Sequence, residues 1–146
     1  MVQLEKDRKF IYLYPHQDIF DEELRKGAVV SGVADRVADK YGKSHKKEIW
    51  KLIIEEYKPY YQQKLNACIH HRYRKKGFSI VYALLDNEKV SNIINLRETD
   101  EIIYVGMDKK THTTPRDDGT YPYPDENHIL NQMLPITSLR VGGFHM

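Results

Sequence analysis

Cysteine is nearly absent: Cys68 is the only one in 146 residues. One thiol excludes an internal disulfide framework and any zinc site built on several cysteines. Such usage is expected of a reducing, cytoplasmic setting. No run of about 18 apolar residues occurs, so no transmembrane helix and no membrane partner are expected. The opening segment carries Glu5, Lys6, Asp7, Arg8 and Lys9, too many charges for a secretory signal. Neither sign of charge dominates. Lys and Arg number 23 against 21 Asp and Glu, a net +2, too mild to argue for nucleic acid by itself. There is no internal repeat, low-complexity linker, glycine-rich phosphate loop or serine-hydrolase elbow.

What is present is an ordinary globular balance, 40% apolar and 30% charged. The length suits a single domain over residues 1–146. Lys9-Phe-Ile-Tyr-Leu-Tyr14 is a short apolar run stopped by Pro15, which predicts a buried strand. An amphipathic helix is expected over 21–41. Val30, Val33, Ala34, Val37, Ala38 and Tyr41 share one face, acidic residues open it and Gly42 stops it. A second helix is expected over 44–71, capped by Ser44, with Ile49, Ile53, Tyr57, Tyr60 and Tyr61 on one side. Pro59 should kink or divide it near Lys58.

Phe78 to Leu85 and Ile102 to Gly106 read as strands. Glu88 to Leu96 favours a short helix through Val90, Ile93 and Ile94. A long polar stretch, Asp108 to Glu126, follows as a loop. Asn127 to Met133 suggests a helical turn, and Leu139 to Val141 a last strand. Apolar strands alternating with helices predict an α/β fold: a mainly parallel sheet of about four strands with helices on both faces, a three-layer Rossmann-like sandwich. The last strand either closes the sheet as an edge or belongs to a fragment of a longer chain; both readings stay open.

In open parallel sheets the ligand crevice lies beyond the carboxyl ends of the strands. The residues there are therefore the candidate site. Asp108, Lys109 and His112 are the catalytic candidates. Lys109 would bind an anionic group or act as a base, Asp108 would orient it, and His112 would transfer a proton. His16, Asp18, Arg116, Tyr121, Tyr123, His128 and His145 are the ligand-binding candidates. A loop as long as Asp108 to His128 is usually functional, and its tyrosines would cover a ligand as a lid. His16, His112, Asp125 and His128 form a candidate metal set of ordinary ligand types, though their spacing matches no tight motif. Cofactors cannot be named from these residues. Cys68 falls in an apolar helical phase and reads as a core residue.

Tyr14-Pro-His-Gln-Asp-Ile-Phe20 resembles a degraded form of the isochorismatase-like hydrolase opening, Asp-x-Gln-x-Asp-Phe. Gln17 and Phe20 match it. Pro15 stands at the position of that family's catalytic aspartate and Ile19 at its second aspartate. Val105 to Lys109 resembles the strand before the family's catalytic lysine. Leu139 to Met146 resembles the strand leading to its nucleophilic cysteine, and no such cysteine follows here. The resemblance touches about a fifth of the chain. It implies a three-layer α/β sandwich, and the missing aspartate and cysteine argue against cysteine chemistry.

These readings give a small-molecule-binding α/β protein, a hydrolase-like enzyme or sensor using the strand-end crevice and the 108–128 loop. The alternative is a nucleic-acid-binding or protein-interaction module using Arg72, Arg74, Lys75 and Lys76, where cations interleave with aromatics. An uncovered last strand and eleven tyrosines also point to a homo-oligomer.

Overall fold

A computed structural model describes residues 5–30, 39–40 and 46–143. Four strands lie within them: β1 (Glu5–Leu13), β2 (Phe78–Asp86), β3 (Glu101–Asp108) and β4 (Ser138–Gly143). Between β1 and β2 come α1 (Gln17–Val30), α2 (Lys46–Arg72) and a 3₁₀ turn, Arg74–Lys76. Two short helices, α3 (Lys109–Thr113) and α4 (Glu126–Met133), connect β3 to β4. All pairings are parallel and the order is β3-β2-β1-β4. The expected parallel α/β sandwich is the observed one.

β2 is buried from Phe78 to Leu85 because both of its faces are covered, which is why it reads as one unbroken apolar run. Side chains alternate between the faces with period two. Phe10, Tyr12, Phe78, Ile80 and Tyr82 meet Phe20 and Leu24 of α1 and Ile69 of α2. Ile11, Val81, Ala83, Leu85, Ile103 and Val105 meet Met133 of α4. Each large side chain so buried contributes about 1.5–3 kcal/mol.

α2 is not divided at Pro59. The helix runs from Lys46 to Arg72 as one element with the proline inside. Tyr57, Tyr61, Leu65 and Ile69 pack on the sheet side on both sides of Pro59, and that packing outweighs the lost hydrogen bond. α1 begins at Gln17, four residues before the expected start. The carbonyl of His16 accepts from the Phe20 N–H at 3.3 Å and opens the helix. Val33, Ala34, Val37, Ala38 and Tyr41 lie outside the described residues.

Residues 88–96 do not form the expected helix. Side chains of α1 and α2 satisfy that segment's backbone instead. Gln17 Oε1 accepts from the Asn92 N–H at 3.1 Å, and Asn66 Oδ1 accepts from the Asn95 N–H at 3.1 Å. Ile93 and Ile94 still bury. The polar stretch after β3 is also less bare than expected. Asp108 caps α3 by accepting from the Thr111 N–H at 2.7 Å, and Asp125 caps α4 through the Asn127 N–H at 2.9 Å. Residues 114–125 remain as the loop.

Lys9, on the α4 side of β1, is 5% exposed. Its ammonium donates to the Met133 carbonyl at 2.6 Å, at the negative end of α4, and lies 3.6 Å from Glu101. Gln132 of α4 brackets the free edge of β3, its Nε2 donating to the Tyr104 carbonyl at 2.7 Å and its Oε1 accepting from the Tyr104 N–H at 3.4 Å. A side-chain amide thus occupies hydrogen bonds that a foreign strand would use. Among the described residues no helix is long and apolar enough to cross a membrane.

Candidate functional site at the strand ends

The carboxyl end of β1 is held in an unusual backbone shape. Tyr14 has φ +53°, in the left-handed region, immediately before Pro15. Its N–H still bonds the Ala83 carbonyl of β2 at 2.8 Å, and its own carbonyl accepts from the His16 N–H at 2.8 Å across Pro15. The Pro15 carbonyl accepts from the Ser91 N–H at 2.8 Å, which ties this turn to the loop after β2. Strain of this kind, at a strand end, is a common mark of functional loops.

His16 follows. It is 1% exposed, and neither ring nitrogen has a hydrogen-bond partner among the described residues. Burial holds its pKa below the ordinary value; Glu88 and Asp18 oppose that shift and the Lys109 charge reinforces it. His16 is therefore a neutral imidazole near neutral pH. The Tyr14 ring stacks on it at 5.9 Å and 17° and lies 5.8 Å from the ring of His112.

Lys109 opens α3 just after β3, and its ammonium bonds the carboxylate of Asp18 in the first turn of α1. That hydrogen bond raises the Lys109 pKa and lowers that of Asp18. Lys109 was expected to take its orientation from Asp108. The Asp108 carboxylate instead caps Thr111, and that backbone hydrogen bond lowers its pKa. Asp18 is the group that orients the lysine. His112 Nδ1 lies 3.1 Å from the Pro122 carbonyl. A carbonyl can only accept, so Nδ1 carries the hydrogen and Nε2 is the basic nitrogen.

Tyr123 is 79% exposed, with its ring 6.1 Å from His112. Arg116 and Tyr121 are exposed on the loop. The loop closes on itself there, with the Arg116 N–H bonding the Thr120 carbonyl at 2.7 Å and Gly119 at φ +84°. The loop is thus tied to His112 through Pro122, while its tip stands in solvent. His128 lies against Gly106, whose φ is +83° and where a Cβ would come 2.8 Å from the imidazole. His128, Gly106, Tyr104, Gln132, Asp86 and Glu88 line a cleft of about 620 Å³. The charge of Glu88 also raises the pKa of His16 and of Lys109.

His145 lies outside the described residues. Among the described residues no three of His, Cys, Asp or Glu converge as a metal ion requires, so the set of His16, His112, Asp125 and His128 does not come together as a metal site. The basic segment divides. Arg72, Lys75 and Lys76 are exposed. Arg74 forms a bidentate pair with the fully buried side chain of Asp100 at 2.5 and 2.6 Å, which withholds it from phosphates.

Two residues escaped the sequence reading. Glu88 stands two positions past β2 and was not among the strand-end candidates read from the sequence. Tyr14 was read as the last residue of a strand, although a bulky residue just before proline marks a place where the backbone must turn. No protein-family model, no curated protein and no solved structure matches the chain.

Proposed function

We propose that this protein binds a small anionic molecule at the carboxyl ends of β1, β2 and β3, as a hydrolase-like enzyme or a sensor. One observation carries the reading. The Lys109–Asp18 bond and the Tyr14 contacts to His16 and His112 gather two distant loops around titratable groups that also feel Glu88. Lys109 would take the ligand's negative charge, with Asp18 exchanged or retained beside it. His112 Nε2 would accept a proton from a bound hydroxyl or water, because Pro122 fixes the tautomer. Buried His16 would offer the ligand a neutral donor and acceptor. Tyr123 would close over His112.

The isochorismatase-like resemblance supports the same end of the sheet, since Pro15 stands at the position of its catalytic aspartate and Val105 to Lys109 resembles the strand before its catalytic lysine. It does not support thiolate chemistry. A cytoplasmic setting and self-association, through the half-exposed Ile102 and Tyr104 on β3, belong to the same proposal. A thermal-shift panel of nucleotides, phosphorylated metabolites and carboxylates tests the reading. A stabilising compound should lose its effect in the Lys109→Ala, His112→Ala double variant while that variant stays folded. A shift that survives both substitutions removes the site. If the compound is consumed, the protein is an enzyme; if it is only bound, a sensor.

The runner-up rests on exposed Arg72, Lys75 and Lys76. Phosphate contacts would make oligonucleotide affinity fall steeply with salt. Absence of binding to single-stranded and duplex probes at low salt would eliminate it.

A further inference from the structure

The order β3-β2-β1-β4 makes the chain change direction between β1 and β4. α1 and α2 cover β1 and β2 on one face, while α4 packs on the other. A cavity of about 280 Å³ lies between α2 and the β1–β4 side of the sheet, at the small end of ligand cavities, which run about 300–1,000 Å³. Its walls include Phe10 of β1 and Leu65 and Ile69 of α2.

Gly142 and Gly143 of β4 also line this cavity. Gly142 pairs with Tyr12 and Gly143 with Leu13. A Cβ on Gly142 would fall 2.7 Å from Cζ of Phe10, so the aromatic ring occupies the place of a β4 side chain. Three polar groups line the same cavity. Tyr12 is 4% exposed, and its hydroxyl finds no hydrogen-bond partner among the described residues. An unpaired buried hydroxyl destabilises the protein unless something in the cavity completes it. Cys68, read from the sequence as a core residue, is instead a free, exposed thiol. Arg72, also exposed, brings a guanidinium to the rim.

We propose that this cavity binds a small aromatic carboxylic acid carrying a second polar group. The ring lies among Phe10, Leu65 and Ile69, the carboxylate meets Arg72, and the polar group completes the Tyr12 hydroxyl. The site is separate from Lys109 and His112 and does not rest on their proposed role. Apolar walls with one buried polar partner and one rim cation match an amphiphilic acid better than a polyanion, which would need more than one cation.

Cys68 is the sole cysteine, so a thiol reagent reports on this cavity alone. The intact chain is treated with Ellman's reagent with and without millimolar 4-hydroxybenzoate. The expected result is a severalfold slower reaction, saturating with ligand, and no slowing by benzyl alcohol. Tyr12→Phe should weaken protection about tenfold, as for one lost hydrogen bond. It should also leave the unliganded melting temperature unchanged or raised, because it removes an unpaired hydroxyl. Arg72→Gln should weaken protection at least as much, and Lys109→Met should not alter it. No protection in the unaltered protein overturns the proposal. So does protection that Tyr12→Phe leaves intact, or that Lys109→Met abolishes.

Discussion

The ammonium of Lys109, at the end of β3, bonds the carboxylate of Asp18, in the first turn of α1, across 91 positions of sequence. Each is about half exposed, 44% and 56%. A pair so placed contributes about 1 kcal/mol or less to stability. Lys109→Met should therefore leave the melting temperature nearly unchanged while abolishing binding of an anionic ligand. A large loss of stability would mean that the pair holds the fold together instead of serving a site.

His16 makes stability depend on pH. Burial lowers its pKa in the folded chain below the ordinary 6.5. The unfolded chain then binds the proton more readily. Its contribution is present in full above about 6.5 and is lost as pH falls from there toward the folded value. Denaturant unfolding should show His16→Phe losing less stability than the parent between about pH 7 and about pH 5. Equal losses would show that His16 is not kept neutral by the fold.

Arg74 and Asp100 predict a sharp contrast within the basic segment. The side chain of Asp100 is fully buried and that of Arg74 is 9% exposed. Asp100→Ala leaves a buried guanidinium without its partner and should cost about 3–5 kcal/mol. Lys75→Ala, on an exposed neighbour, should change stability by about 0.5 kcal/mol or less. Urea unfolding of the two variants checks this. Similar midpoints would contradict the assignment of Arg74 to the core.

Gly106 combines a positive φ with the imidazole of His128 at close range. Gly106→Ala should destabilise by about 1–2 kcal/mol from the backbone alone, with more from the clash. Adding His128→Ala should restore only the steric part. Full recovery in the double variant would mean the backbone at 106 is unstrained.

Much of the fold was readable because the strongest signals are periodic. The unbroken run from Phe78 to Leu85 could belong only to a strand covered on both faces. The parallel sheet followed from the helices between strands. What was hidden depended on partners distant in sequence. Residues 88–96 carry a helical pattern, yet Gln17 and Asn66 satisfy their backbone from other elements. Pro59 signals a kink or a division, and packing on the sheet carries α2 past it undivided. In the site, Lys109 and His112 stood out as strand-end residues. Asp18 was selected as a ligand contact, and its pairing with Lys109 needs the carboxyl ends of β1 and β3 to lie at one end of the sheet, on either side of β2. Neighbouring residues pointed to Asp108 instead, whose nearest unsatisfied donor proved to be the Thr111 N–H.

The central claim is that His16, Asp18, Lys109 and His112 serve one small-molecule site. The most direct measurement is NMR of protein labelled with ¹⁵N in its histidine rings, titrated with the best compound from the thermal-shift panel. The rings of His16 and His112 should both shift with a common dissociation constant, and the Lys109→Met variant should lose both responses. Shifts confined to His70 and His71, with His16 and His112 unmoved, would place binding elsewhere and contradict the account.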